Sequence, residues 1–551
     1  MATLTRRRAA WPLLAISGLS LVVAWVLASP VGASPDEAEH IAYAWATVTG
    51  QTMGGEHMVS VPTKVAVNGR VVTVPGDHTM VTQVRMPQKL LQYPAPICYE
   101  FNAAQPTSSC LPIPPDTQQL VTQTSVMSRY PPMFYVVDGV VLRAATAVDL
   151  SGPRVLYAAR LAAGLMSWLA VAFGVLLLAR RFPARVVLLA TLLGLPAMAW
   201  FLAASVNSNG LEAAAAFLLA AAVLSVRVDH FVGTRSLAAI LAVPLGTLLL
   251  AWTRPLSWVW ASLILALLLV PTGRRRGDSW RQRLPIRRLG VLASTASAVV
   301  LASSMVWFIY ALRVPASEHG TLVNPASWAQ LSPVGRVILV LLHTGTSVTE
   351  QIGTFGWLDT PLPAVAVLAW VSITGAAVAV WSVGRSLVMP RWSVAAVLVL
   401  GYLAAMLDEY RQAWGWQGRY LLPIAAAVCV FAIPGVKNGF ERWTASRRVV
   451  PWMLVVLMAV NALSVVWFLF RNMYGVKTWP RRLPVAPLPV GTPGWVPPFG
   501  VVPVLALVIL ALACGVGAVW TLPSARMPQP QPQPVLENAD QPSAGQTLGH
   551  R

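Results

Sequence analysis

The chain has 551 residues, of which 56% are hydrophobic and 11% charged, with 40 Lys and Arg against 20 Asp and Glu. Many of its apolar runs approach the roughly 20 residues a helix needs to cross a bilayer, which excludes a soluble globular enzyme and fits a polytopic all-α membrane protein. The formal net charge of +20 would point to nucleic acid in a soluble protein, but here the arginines sit in short loops between apolar runs, as membrane orientation demands, so no nucleic-acid partner is expected.

In chain order, residues 1–10 hold Arg6, Arg7 and Arg8 and are expected in the cytoplasm, followed by a first transmembrane helix over 11–29. Its apolar stretch is long for a signal peptide and is read as a retained signal-anchor. Residues 30–153 form a polar external loop with interfacial helices; "PPMFYVVDGVVLRAATAVDL" carries Asp138, Arg143 and Asp149 and is read as a helix on the outer interface rather than a span. Cys98 and Cys110 fall in this loop and are candidates for a disulfide if it faces an oxidising compartment.

Residues 154–522 are read as a transmembrane bundle with spans over 154–178, 186–205, 211–226, 237–252, 256–270, 291–311, 364–383, 393–406, 421–434, 450–470 and 501–522. With the first helix these make 12 spans and place both termini in the cytoplasm of a multi-pass plasma-membrane protein. The loop "PTGRRRGDSWRQRLPIRRLG", with seven arginines, is the strongest cytoplasmic marker. The Pro/Gln-rich residues 523–551 are expected to be a disordered cytoplasmic tail.

On this map the chemistry-bearing residues collect at the external face. In "ASPDEAEHIAYAWATVTG", Ser34, Pro35 and Glu37 satisfy a capping box, and Asp36 complements a helix dipole, so both acids have a purely structural explanation. That explanation leaves His40, one turn after Asp36, unaccounted for; the two together suit proton transfer or a divalent metal. Arg129 and Tyr130 precede a Pro-Pro turn, where an aromatic anchor with a snorkelling arginine is the alternative to a ligand contact. Asn207, Asn209 and Glu212 in "VNSNGLE" are either caps or ligands. Asp359 stands in "GWLDTPLP", and Gln417, Arg419 and Tyr420 open a late span. Arg419, like Arg254 in "WTRPLS", lies on the side where arginine is disfavoured, so each either ligates an anion or pairs with a carboxylate. No Walker, Gly-x-Ser-x-Gly, His-Glu-x-x-His or dinucleotide motif accompanies them.

"SPDEAEHIAYAWATVTGQ", "YPPMFYVV", "GWLDTPLP" and "QGRYLLPI", in that order, resemble the bacterial membrane family known as domain of unknown function 2142. That family in turn resembles the GT-C glycosyltransferases, multi-span enzymes that take sugars from polyprenyl-phosphate carriers. The resemblance implies a GT-C-like bundle of about 12 spans and transfer of a sugar to an envelope glycan, lipid or protein. Asp36, with Glu37 beside it, matches the acidic motif of the first external loop, where a carboxylate serves as general base or helps hold a divalent metal. Arg419 and Tyr420 match the family's "GRY" motif, where an arginine suits a lipid-linked phosphate, and Asn209 stands where the family pattern usually has an acid. His40, Arg129, Tyr130, Asn207, Arg254, Asp359 and Gln417 join them as candidate contacts to the substrate and its phosphate because they collect on the same external face. No cofactor beyond that metal is implied. The rival readings are a flippase for a lipid-linked saccharide, which needs polar groups at mid-membrane, and a non-catalytic envelope-assembly protein.

Overall fold

The computed structural model describes residues 2–522 apart from 53–55, 61–62, 68–69, 75–77, 91–101, 103, 105–115, 274–281, 283, 313–329, 413–416, 444–445, 479–483, 488 and 490. Cys98, Cys110 and the tail 523–551 thus lie outside the described residues.

The chain is a helical bundle. Its helices are α1 (Ala2–Ala28), α2 (Glu37–Thr49), α3 (Met133–Ala147), α4 (Gly152–Ala179), α5 (Ala184–Gly194), α6 (Ala197–Ala203), α7 (Ser208–Val232) and α8 (Leu237–Ala251). They continue as α9 (Ser257–Ala266), α10 (Val291–Ala311), α11 (Pro333–Gly353), α12 (Ala364–Val383), α13 (Arg391–Gln412), α14 (Leu422–Arg442), α15 (Ser446–Tyr474) and α16 (Val501–Thr521). Every expected span falls on one of these helices. Among the described residues nine are long and apolar enough to cross a membrane. The pair α5 and α6 makes a tenth if counted as one span; it bends by 73° at Leu195-Pro196, where proline cannot continue the helical hydrogen bonding. The fifth and sixth expected spans are the shorter apolar helices Leu237–Ala251 and Ser257–Leu269.

α7 is the axis of the bundle. Its "EAAAAFLLAAAV" run of small side chains lets α4, α8 and α14 approach closely, and it is buried along nearly its whole length. α12 is the opposite case, with Val365, Leu368 and Val378 exposed to the surroundings as a lipid-facing helix requires. The first and last spans close the bundle, with the Ser17 hydroxyl donating to the Ala511 carbonyl at 2.7 Å.

At the end of α7 where Arg227 lies, the arginines are spent on structure. Arg227, fully buried, donates to the carbonyls of Leu267, Val270 and Val388, and so ties two helix ends to α7. Arg181 pairs with Asp229 through two bonds of 2.9 and 2.8 Å, and Arg185 holds the Val519 and Leu522 carbonyls.

The other end carries the loop after α1. There the hydrophobic pattern failed to reveal strands: β1 (Glu56–Ser60), β4 (His78–Pro87) and β5 (Leu120–Ser125) form an antiparallel sheet in the order β1-β4-β5, with β2 (Thr63–Val67) and β3 (Arg70–Val74) a separate hairpin. The sheet rests on α2, where Trp45 donates to the Arg85 carbonyl at 3.1 Å and Glu39 accepts from the Val126 N–H at 2.9 Å. α3 packs across α2 and is not among the spanning helices. α11 and the hairpin of β6 (Thr354–Phe355) and β7 (Thr360–Pro361), in the loop before α12, were likewise unforeseen.

Candidate functional site

Asp36 ends the turn between α1 and α2 with φ 59° and ψ 9°, a left-handed conformation that Asp tolerates better than most residues but at a cost. In this position its carboxylate makes no cap bond to α2. It accepts instead from Nη2 of Arg419 at 3.1 Å, across 383 residues of sequence. The expected capping box is not formed: the Ser34 hydroxyl donates to the Ser205 hydroxyl at 3.0 Å, and Glu37 turns the other way. Long-range partners outcompete the local cap because both side chains are buried.

Arg419 is 4% exposed and stands in the short 3-10 turn Gly418–Leu421 that starts α14. The last turn of α11 fixes this turn, with Glu350 accepting from the Gly418 N–H at 2.8 Å. A Cβ on Gly418 would lie 1.9 Å from the Ser347 carbonyl oxygen, so only glycine fits there. The Arg419 guanidinium lies 5.3 Å from the centre of the Tyr420 ring, and its Nε and Nη1 are buried with no hydrogen-bond partner among the described residues.

Arg254 approaches the same ring at 4.3 Å, so Tyr420 is shared by two guanidiniums. Nη1 of Arg254 donates to Asn209 at 2.7 Å and to Glu212 at 3.3 Å, and its Nη2 reaches the Tyr130 hydroxyl at 3.4 Å. Glu212 also accepts from the Ser257 hydroxyl at 2.6 Å. Asn207 caps α7 by accepting from the Asn209 backbone N–H at 3.0 Å, and its amide donates to the Pro35 carbonyl at 3.2 Å. His40 completes the group, its Nδ1 2.7 Å from the Tyr135 hydroxyl and its ring edge-on to Tyr130.

Asp36, His40, Tyr130, Asn207, Asn209, Arg254, Arg419 and Tyr420 therefore gather from α2 and the turn before it, the turn before α3, the start of α7, the α8–α9 connection and the turn that opens α14, although they are spread over almost 400 positions. A family model for a predicted membrane protein, DUF2142, matches residues 19–428 and spans all of them. The chain belongs to the DUF2142 family. No curated protein matches it. Among solved structures the DUF2142 protein is similar to ArnT from Cupriavidus metallidurans bound to undecaprenyl phosphate, with a TM-score of 0.39 and 14% identity over 92% of this chain and 76% of that one.

The remaining expected residues of the DUF2142 protein are arranged differently. Glu37 is engaged through both carboxylate oxygens: Oε1 accepts from Arg160 Nε at 2.7 Å and the Val206 N–H at 3.1 Å, and Oε2 from Arg160 Nη2 at 2.5 Å and the Gly32 N–H at 3.3 Å. Arg160 also donates to the carbonyls of Ser29 and Pro30. Asp359 lies outside the cluster, its carboxylate 2.5 Å from Arg471, which also bonds the Thr360 hydroxyl at 3.1 Å. The Arg129 carbonyl accepts from Trp307 at 3.1 Å, tying the loop to α10. Gln417 precedes the Arg419 turn, and its side-chain oxygen is buried without a partner among the described residues.

Arg160, Arg471 and Tyr135 were passed over in the sequence. The signal was there for the arginines, since a lone charge inside an apolar span demands a partner. Asp138 of α3 is fully buried, neither of its oxygens has a hydrogen-bond partner among the described residues, and burial together with nearby Glu37 lifts its pKa well above the carboxylate range. Burial likewise lifts Glu39 to about 7. Burial, and then the charges of Arg254 and Arg419, depress His40 to about 3, so its ring is neutral at physiological pH. The residues do not suit a divalent metal: Asp36 faces Arg419, His40 spends one nitrogen near Tyr135, and two guanidiniums repel a cation. Among the described residues no group of three or more His, Cys, Asp or Glu is placed to hold one.

Proposed function

We propose that this DUF2142 protein is a GT-C-like membrane glycosyltransferase, moving a sugar from a polyprenyl-phosphate carrier to an envelope acceptor on the external face. The observation that carries this reading is the 3.1 Å contact between Asp36 and Arg419, with Arg254 4.3 Å from the centre of the shared Tyr420 ring. A lipid-linked sugar presents its phosphate at headgroup level, where the two guanidiniums lie at the ends of apolar helices. Arg419 keeps two nitrogens free for that phosphate while a third holds Asp36.

In the transfer, Asp36 takes the proton of the acceptor hydroxyl as that oxygen bonds to the anomeric carbon. The bond from this carbon to the phosphate oxygen breaks, and the phosphate leaves with the electron pair, its charge stabilised by Arg419 and Arg254. The base and the departing phosphate stand on opposite faces of the sugar, so the configuration inverts. Glu37 contributes indirectly, because its bonds to Arg160, Gly32 and Val206 fix the turn that aims Asp36.

A flippase would need uncommitted polar groups along the path. Arg227, about 27 Å along α7 from Asn209 at 1.5 Å per residue, is instead bound to three backbone carbonyls, which supports the enzyme. The test is mass spectrometry of lipid-linked sugars and envelope glycans in a strain lacking the protein. Wild type restores the missing product, whereas Asp36→Asn accumulates at normal level in the membrane and does not. Unchanged glycans on deletion, or full complementation by Asp36→Asn, refute the proposal.

A further inference from the structure

His40 follows Asp36 by one helical turn, its backbone N–H donating to the Asp36 carbonyl at 3.1 Å, and both side chains reach the same group, Asp36 at Arg419 and His40 against Tyr130. The imidazole is 2% exposed and stacks on Tyr135 at 5.7 Å with an 18° interplanar angle. Nδ1 is 2.7 Å from the Tyr135 hydroxyl, and Nε2 makes no hydrogen bond among the described residues. Tyr130 links the ring to the arginines, 5.7 Å from the imidazole edge-on and 5.7 Å from the Arg254 guanidinium.

A neutral imidazole has one donor and one acceptor nitrogen. Tyr135, fully buried, keeps its phenolic proton, because burial raises its pKa well above 10. Donation of that proton to Nδ1, 2.7 Å away, would put the ring hydrogen on Nε2, the tautomer that recognition of a hydroxyl by Nε2–H requires. A ring this hard to protonate is a poor general base at neutral pH, and as an anion ligand it adds little beside two guanidiniums. Its remaining capability is recognition of an uncharged hydroxyl.

We propose that His40 is a specificity residue whose Nε2–H donates a hydrogen bond to a hydroxyl of the transferred sugar, next to the carboxylate of Asp36. The proposal rests on the sugar-transfer reading of the site and adds a subsite to it. The subsite rejects donors lacking that hydroxyl, because an unpaired buried donor is costly.

Two measurements test it on the full-length protein in detergent and in cells. In 15N-histidine NMR, the signal that disappears in His40→Phe is expected to be the neutral, Nε2-protonated tautomer at pH 7 and to stay so to pH 5; a cation or an Nδ1-protonated ring overturns the proposal. In the deletion strain, His40→Gln, which keeps a donor, is expected to restore consumption of the lipid-linked sugar to within about threefold of wild type. His40→Phe is expected to lower it about tenfold or more, while binding of radiolabelled farnesyl phosphate stays within about twofold because the arginines hold the anion. His40→Met, also without a donor, replaces the Phe variant if that one fails to fold. Wild-type consumption by the donor-less variant, or loss of its farnesyl phosphate binding, overturns the subsite. If wild type itself leaves the lipid-linked sugars unchanged, the transfer reading has failed, and the NMR arm still reports the ring's state.

Discussion

Adjacent residues Asp36 and Glu37 have opposite duties in this structure, and removing the second tests the division. Glu37→Gln keeps the shape and removes the charge. Arg160, 1% exposed on its side chain, would then keep two carbonyls but lose its counter-ion, and the Gly32 and Val206 N–H groups would face a weaker acceptor. Breaking a buried pair by removing one partner costs about 3–5 kcal/mol, a factor of roughly a hundred to a few thousand in the folded population at about 1.4 kcal/mol per tenfold. The pair spans 123 positions and anchors the turn after α1 to α4, so the loss should appear as reduced folded yield. The assay is fluorescence-detected size-exclusion chromatography of membrane extracts with a thermal series, set beside the double variant Glu37→Leu with Arg160→Met. The double variant should recover most of the lost stability, since it leaves no uncompensated charge. If Glu37→Gln folds like wild type and loses only activity, Glu37 acts chemically and the assignment of base to Asp36 alone is wrong.

Gly418→Ala should drive Cβ into the Ser347 carbonyl and displace the Arg419 turn; a correctly inserted protein with at least about tenfold weaker farnesyl phosphate binding is expected, and unchanged binding would show the turn to be tolerant. Arg227→Met leaves three buried carbonyls without a donor and should destabilise the protein by about 2–4 kcal/mol without altering the remote site; a shifted thermal midpoint with phosphate binding retained is the readout. The pH response of stability should show two opposed contributions. Glu39 holds its proton up to about pH 7 when folded but only to 4.5 when unfolded, so it stabilises the fold at low pH and that contribution is lost as pH rises through 7. His40 resists protonation down to about pH 3 when folded, whereas the unfolded ring protonates near 6.5, so stability is lost as pH falls from 6.5 toward 3. Between pH 4.5 and 6.5 the two offset each other. Relative to wild type, Glu39→Gln should therefore make the midpoint rise more steeply with pH there, and His40→Gln should make it fall, with the raised Asp138 common to both; slopes that shift in the same direction would contradict both assignments.

Sequence alone determined that this is a multi-span helical membrane protein, because bilayer hydrophobicity writes itself into runs of about 20 apolar residues that need no partner to be recognised. It also marked the residues that would be costly in such a setting, Asp36, Arg254 and Arg419 among them, and family motifs tied them to one another. What it could not supply was pairing. A carboxylate within a capping pattern reads the same whether it caps a helix, as expected of Glu37, or reaches Arg160 123 positions away. The choice belongs to burial and to charge balance, which exist only once α2, α4, α7 and α14 are packed. The strands of the first loop and α11 were missed for a related reason, since short, mixed segments lack the periodicity that long spans enforce. Tertiary structure therefore decided which arginines serve as clamps, which pair with acids, and that Arg419 is the one to hold Asp36.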